Sequence, residues 1–430
     1  MITIGELVQL VIVCVSAMDF IIFTIMFLMY LTIIPFKSQN KYTRIGSMFV
    51  TMCFIIFKIM HIPAFLSTIQ FMEYKIPYGQ IMLLGLTWTN IGLTAIPICF
   101  AIYTMILSNF RSDNNENVYK NEKIIIVMPI YNEVPTSLWC AIQSVKQLDY
   151  NHKQIHLYLA FDDDNTPDAW IYIMNKWGLN ITDERKIIVI DDKIRISICR
   201  FKHGGKKSAQ KGAIDKIKEE YNESELEFAK LLFIDSDIIL KSDALWKFIK
   251  HMMIYKKNCL TGLITCITSK QPNFLTYYQD VEYVSGQILW RNMENYLGAT
   301  SCLPGAFTIM KWKSFDNITK DYFEKTEYND SFEYQRFYLG EDRYLTHLLM
   351  EKEPWKIGFC EESRCKTEAP NDLMGLLKQR RRWYLGHISN DTWMISSMDL
   401  WKHYPLLSIF NFLNNSRNTS VYIYLLYFVL

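Results

Sequence analysis

"LLFIDSDIIL", residues 231–240, decides how the rest of this 430-residue chain is read. Four apolar residues, Leu231 to Ile234, run into two aspartates separated by one serine, and a second apolar run follows. A short, continuously apolar run is the pattern of a strand buried on both faces, as in a parallel sheet covered by helices. Ligands of such sheets bind beyond the carboxyl ends of the strands, where Asp235 and Asp237 are expected to stand. Two carboxylates at that spacing can both approach a hard divalent cation, which in turn holds phosphate oxygens. D-x-D is common by chance and acidic residues often cap helices, so the neighbouring segments decide its meaning.

Similar β-branched runs appear at "KIIIVMP" (123–129), "IHLYLAF" (155–161) and "KIIVI" (186–190), separated by stretches long enough for helices. The expectation is an α/β domain built on a parallel, doubly covered sheet. The first run continues into Tyr131-Asn132-Glu133 and the second into Asp162-Asp163-Asp164, so carboxylates crowd three strand ends. "HGGKKSAQKG" (203–212) adds Gly204 and Gly205, which permit close backbone approach, and Lys206 and Lys207, which supply charge for a phosphate. It lacks the spacing of a Walker A loop. In "LGEDRYLTHLLM" (339–350), Leu345, Leu348 and Leu349 recur at helical spacing and place Glu341 and Asp342 in a first turn. Acids there either favour the helix dipole or provide a general base. "LLKQRRRWYLG" (376–386) sets three arginines beside Trp383, as a basic membrane-surface face or an anion site.

A net charge of +2 argues against nucleic acid as the main partner, and the 50% hydrophobic content is concentrated in the first hundred residues. Apolar segments at 7–34, 47–70 and 80–108 meet the length a bilayer core demands and are expected to be transmembrane helices. Lys37, Lys41 and Arg44 in the first loop put that loop, and everything after residue 109, on the cytosolic side. Ten cysteines with no C-x-x-C pair agree with reduced thiols in that compartment. Residues 109–122 are expected to link the membrane part to a soluble domain over 123–387.

Taken in order, "MPIYNE", the acidic strand end, "GKKSAQ", "DSD", "SCLPGAF" (301–307), "GEDRYLT" and "QRRRW" resemble the processive inverting glycosyltransferases, and specifically chitin synthases. The resemblance covers roughly residues 120–390. It implies a cytosolic GT-A fold, Rossmann-like in its sheet, using UDP-N-acetylglucosamine with Mg²⁺ or Mn²⁺. By that resemblance Pro129, Tyr131 and Glu133, with Asp162 or Asp163, hold the uridine, assisted by Lys206. Asp235 and Asp237 carry the metal and the sugar diphosphate. Asp342 is the general base, flanked by Glu341 and Arg343. Gln379 and Arg382 cup the pyrophosphate, while Trp383 and the Leu303-Pro304-Gly305 turn take the growing chitin acceptor. The implied setting is a multi-pass protein of the plasma membrane or secretory vesicles, with a homodimer left open.

The end of the chain departs from that pattern. After an amphipathic, interfacial stretch near 388–401 with Trp393, Met398 and Trp401, only two short apolar segments follow within 388–430, and a W-G-T-K-G type segment is missing. A truncated chain or a reduced enzyme is expected. Two other readings stand beside the first: a different processive or lipid-linked, hyaluronan-synthase-like glycosyltransferase, and a membrane protein that binds nucleotide sugar without catalysis.

Overall fold

The computed structural model describes Pro97 and residues 119–162, 167–179, 186–267, 272–324 and 329–415. The expected spans at 7–34, 47–70 and 80–108 lie outside the described residues apart from Pro97, as do Asp163 and residues 109–118 and 416–430. Among the described residues no helix is long and apolar enough to cross a membrane. The chain divides into two units. One holds Met1–Phe110, Tyr277–Met293 and Leu406–Leu430; the other holds Arg111–Thr276 and Glu294–Pro405.

The second unit is built on a nine-stranded sheet of order β3-β4-β2-β1-β5-β8-β7-β9-β6. The strands are β1 Ile124–Ile130, β2 Ile155–Phe161, β3 Lys186–Asp191, β4 Ile194–Arg200, β5 Lys230–Ile234, β6 Ile239–Leu240, β7 Cys259–Cys266, β8 Phe307–Lys311 and β9 Ile357–Thr367. β4, β2, β1 and β5 run parallel. Every residue of β1 and β2 is buried, which is why these segments read as unbroken apolar runs rather than alternating ones.

The expectation of a wholly parallel sheet is corrected at β3, at β8, and at β6, which runs antiparallel to β9. β3, read as a fourth parallel strand, is antiparallel to β4, because only Asp192 and Lys193 separate them and a parallel crossover needs a dozen residues or more. Both turn residues have positive φ, 51° and 66°, as a two-residue hairpin of primed type requires. β8 then runs antiparallel to β5 and β7, so the sheet is mixed.

Helices cover the sheet: α1 Pro135–Lys146, α2 Asp168–Lys176, α3 Lys206–Glu220, α4 Ala244–Ile254, α5 Trp312–Glu324, α6 Glu341–Lys352 and α7 Leu373–Ser396. α1 begins on a proline at its first turn, where the missing N–H costs nothing. α7 starts at Asp372, whose side chain accepts from Gly375 N, and runs unbroken through the boundary expected at 387. Of the described cysteines, Cys140, Cys199, Cys259 and Cys360 are free thiols.

Two buried histidines make this unit acid-sensitive. His156 lies between Tyr221 Oη at 2.6 Å and Ser197 Oγ at 2.9 Å, and burial pushes it down to about 3. His347, fully buried, is also pushed down to about 3 by burial. In the unfolded chain each titrates near its ordinary value of about 6.5. Below that pH the unfolded chain binds protons that the folded chain refuses, so stability present above about 6.5 is lost as pH falls toward 3. Each histidine contributes a slope of about 1.4 kcal/mol per pH unit. Thermal melts at pH 7 and pH 5 are expected to show that loss, and replacing His156 by asparagine to reduce it; a flat profile contradicts the assignment.

Candidate active site

β1 lies between β2 and β5, so the three acidic segments that follow these strands emerge side by side at one edge of the sheet. After β1 the backbone turns at Asn132, which has φ 47°. Tyr131 is left half exposed and stacks on the His203 ring, with centroids 4.6 Å apart and planes 18° from parallel. Glu133 reaches across to the D-x-D turn, where its Oε2 accepts from Ser236 Oγ at 2.6 Å. Pro129 is buried within β1 opposite Ala160.

Asp162, expected with Asp163 as the alternative to hold the uridine, also anchors a loop. Only 1% exposed, it accepts from Gly204 N and Gly205 N, each at 2.9 Å, and its Oδ2 pairs with His203 Nδ1 at 3.0 Å. Both carboxylate oxygens are thus engaged in anchoring the loop that precedes α3. Gly205 has φ 86°, a conformation that favours glycine, and the helix starts at the next residue.

That start projects Lys206 into the centre of the site. Its Nζ lies 2.7 Å from Asp235 Oδ1 and 3.6 Å from Glu341 Oε1. Burial alone would lower its affinity for a proton, but Asp235, Asp342 and Glu341 together hold it above the ordinary lysine range. Burial pushes Glu341 up to about 7; Lys206 opposes the rise and Asp342 adds to it. Asp342 is raised by the same burial, with Lys206, a backbone donor at Gly305 and Arg382 acting against it. A single ammonium therefore joins the "GKK", "DSD" and "GED" segments, which are distant in sequence.

Gly305 makes that convergence possible. A Cβ built there would stand 2.7 Å from Asp342 Oδ1 and 3.0 Å from Lys206 Nζ, so any side chain would displace the cluster. The turn is held by Thr346, whose hydroxyl accepts from Leu303 N at 2.8 Å and donates to Asp342 O at 2.6 Å. Leu303 is fully buried, so its side chain is core and not an acceptor contact; Pro304 O accepts from Thr308 Oγ1.

The helices carrying "GEDR" and "QRRRW" cross at glycines. A Cβ on Gly386 of α7 would meet the Cα of Gly340 at 2.7 Å, just before α6. Asn390 Nδ2 donates there to Gly340 O and Gly386 O, at 3.1 and 2.9 Å. Arg343, expected near the chemistry, is instead held by Asp391 at 3.3 Å, and His387 faces the same carboxylate at 3.2 Å. Trp393 packs between the Arg336 guanidinium, 4.0 Å from its ring, and the His347 ring. It is an anchor of this crossing rather than part of the apolar face expected at 388–401. Gly386→Ala should cost about 1–3 kcal/mol by overpacking backbone against backbone. A lowered melting temperature checks this, and an unchanged one would remove the close crossing.

On α7, Arg382 is exposed, yet its positive charge pulls the Glu341 and Asp342 carboxyls downward. Arg380 lies over the Trp383 ring at 4.4 Å, leaving that indole 37% exposed. Gln379 Oε1 is buried without a hydrogen-bond partner among the described residues. Sequence reasoning missed His203, Thr367 and Asp391. The first and last sit beside motifs that were read, so proximity was the available signal. Thr367 ends a strand whose second half is mostly polar, and nothing in it pointed to the site.

Asp237 lies beyond Asp235 and turns toward β9, accepting from Thr367 Oγ1 at 2.6 Å and Glu368 N at 3.0 Å. Burial, then Asp235 and Glu133, push its carboxyl up to about 6. Hard oxygen donors with excess negative charge suit Mg²⁺ or Mn²⁺. Among the described residues no three His, Cys, Asp or Glu side chains form a complete metal cage. A Mg²⁺ held by one or two carboxylates and substrate phosphates needs none.

A chitin synthase family model matches residues 213–406. The chain is 33% identical to chitin synthase 7 of Pyricularia oryzae over 96% of its own length and 52% of that protein's. It is 34% identical to chitin synthase 7 of Verticillium dahliae, over 92% and 59% of the two chains. It is 37% identical to chitin synthase G of Aspergillus niger, over 80% and 48%. The chain thus spans about half the length of these relatives. Among solved structures, a mannosyltransferase from Pyrobaculum calidifontis in complex with GDP-Man and Mn²⁺ overlays with a TM-score of 0.46 at 13% identity, covering 77% of this chain and 82% of that one. Residues 213–406 match a chitin synthase family model, and over the part it spans the chain is similar in sequence to the chitin synthases of these organisms.

Proposed function

We propose that this chain transfers N-acetylglucosamine from UDP-N-acetylglucosamine to the 4-hydroxyl of a growing β-1,4-linked chitin chain, with inversion, on a GT-A-type domain. The observation that carries the reading is Lys206 bridging Asp235 and Glu341 beside Asp342, which brings a donor diphosphate site and a candidate base into one cluster. Tyr131 and the end of β2 take the uridine, and Asp162 holds the loop against it. Asp235 and Asp237 would hold Mg²⁺ or Mn²⁺, which would supply positive charge to the diphosphate.

Asp342 takes the proton from the acceptor 4-hydroxyl as that oxygen bonds to the anomeric carbon. The bond from that carbon to the diphosphate breaks on the opposite face, and UDP leaves with the electron pair. Arg382 and Lys206 offset the charge that develops on the leaving group; fixed charges aimed there cost no reorganisation at the moment of reaction. Trp383 offers a flat apolar surface to the sugar chain beside the arginines. The setting we assign is a multi-pass membrane protein of the plasma membrane or secretory vesicles with this domain in the cytosol, and homodimerisation belongs to the same proposal.

Membranes containing the chain, given radiolabelled UDP-N-acetylglucosamine and Mg²⁺, test the reading. Insoluble label released by chitinase is expected. Label recovered in lipid instead would replace polymer synthesis with lipid-linked transfer.

A further inference from the structure

Lys206 raises a question that donor binding alone does not answer. Its ammonium stands 2.7 Å from one oxygen of Asp235, a carboxylate assigned above to the metal. Glu341 lies 3.6 Å away on its other side, and Asp342 shares with it the space that a Gly305 side chain would fill. The base of the lysine is fixed. Gly205 starts the helix at a positive φ, and the adjacent Lys207 is buried with its ammonium over Tyr322 at 4.8 Å and Tyr344 at 5.5 Å. From that fixed base the four-carbon arm of Lys206 can swing while the backbone stays put.

We propose that Lys206 competes with a divalent ion for Asp235: it holds Asp235 against Glu341 and Asp342, keeps out a bare divalent ion, and releases Asp235 only when an ion arrives with a diphosphate. The exchange conserves charge. The ion takes over Asp235, and the ammonium exchanges that carboxylate for a diphosphate oxygen, so no cation is stranded and no carboxylate is left bare. Metal and nucleotide then enter together, and a cytosolic ion alone does not lock the site. The inference rests on reading the site as one for a nucleotide sugar, but it concerns binding and requires no sugar transfer.

The test titrates Mn²⁺ alone into the full chain in detergent, with free Mn²⁺ followed by electron paramagnetic resonance. Lys206→Met should bind Mn²⁺ at least about tenfold more tightly than the unmodified chain, as removing a fixed positive charge from the site requires. Lys206→Arg should stay weak. Binding by Lys206→Met no tighter than by the unmodified chain overturns the proposal. Where the methionine variant does not fold, Lys206→Gln with UDP added provides a second measurement. UDP should tighten Mn²⁺ binding more in the unmodified chain than in the glutamine variant, because only the former has a lysine to displace; equal tightening overturns the proposal. Since no sugar is turned over, a chain that fails to make chitin still gives a readable result.

Discussion

Asparagine at position 342 is expected to lower sugar transfer by about 10² to 10⁴, the range by which a positioned general base accelerates a reaction. UDP affinity should be nearly unchanged, because the role proposed for this carboxylate is at the acceptor hydroxyl and not at the nucleotide. The pH dependence has a definite sign. Burial raises both Asp342 and Glu341, the latter to about 7, and a base works only when deprotonated. kcat/KM should therefore rise with pH through the apparent values of the pair and be lost as pH falls below them. Normal turnover by the asparagine variant would move the base elsewhere.

The second large effect is expected at a residue with no chemistry of its own. Gly305→Ala places a methyl group 2.7 Å from Asp342 Oδ1 and 3.0 Å from Lys206 Nζ. The lysine can withdraw along its flexible arm, but the short, half-buried aspartate has only to rotate or shift its carboxylate to relieve the clash, which moves its oxygen from the place proposed for the base. A misplacement of about 1 Å costs roughly 10² in rate. The loss should fall mainly on kcat, with folding preserved, since the clash is with side-chain tips. An alanine variant with undiminished kcat would show that Asp342 need not sit against this turn.

The sequence could be read well where one physical pattern dominated. The apolar runs that became β1, β2 and β5 and the carboxylates at their ends were visible because both sheet faces are covered, so burial is written as uninterrupted hydrophobicity. β8 and β9 were not. β9 alternates polar and exposed residues along part of its length, and its role at the site is a single hydroxyl, that of Thr367, toward Asp237. Residue type also failed to distinguish a contact from a support. Asp162 and Arg343 have the chemistry of ligand-binding groups, and each also supports the fold, one through loop amides and the other through Asp391. Only their partners, far along the chain, reveal that. The glycines at 305, 340 and 386 are the converse case: what matters about them is the atoms that come close, and composition cannot show it.

The central claim is that these residues form one centre for inverting transfer onto a sugar hydroxyl. Its most direct test is the linkage of the first bond made. Membranes containing the chain would be given UDP-N-acetylglucosamine and a short chito-oligosaccharide, and the extended product digested with a β-1,4-specific chitinase and analysed by mass spectrometry. The account predicts oligomers longer than the primer that are fully cleaved by the enzyme and missing with Asp342→Asn. Products joined by an α linkage, or free N-acetylglucosamine released with no extension at all, would contradict it.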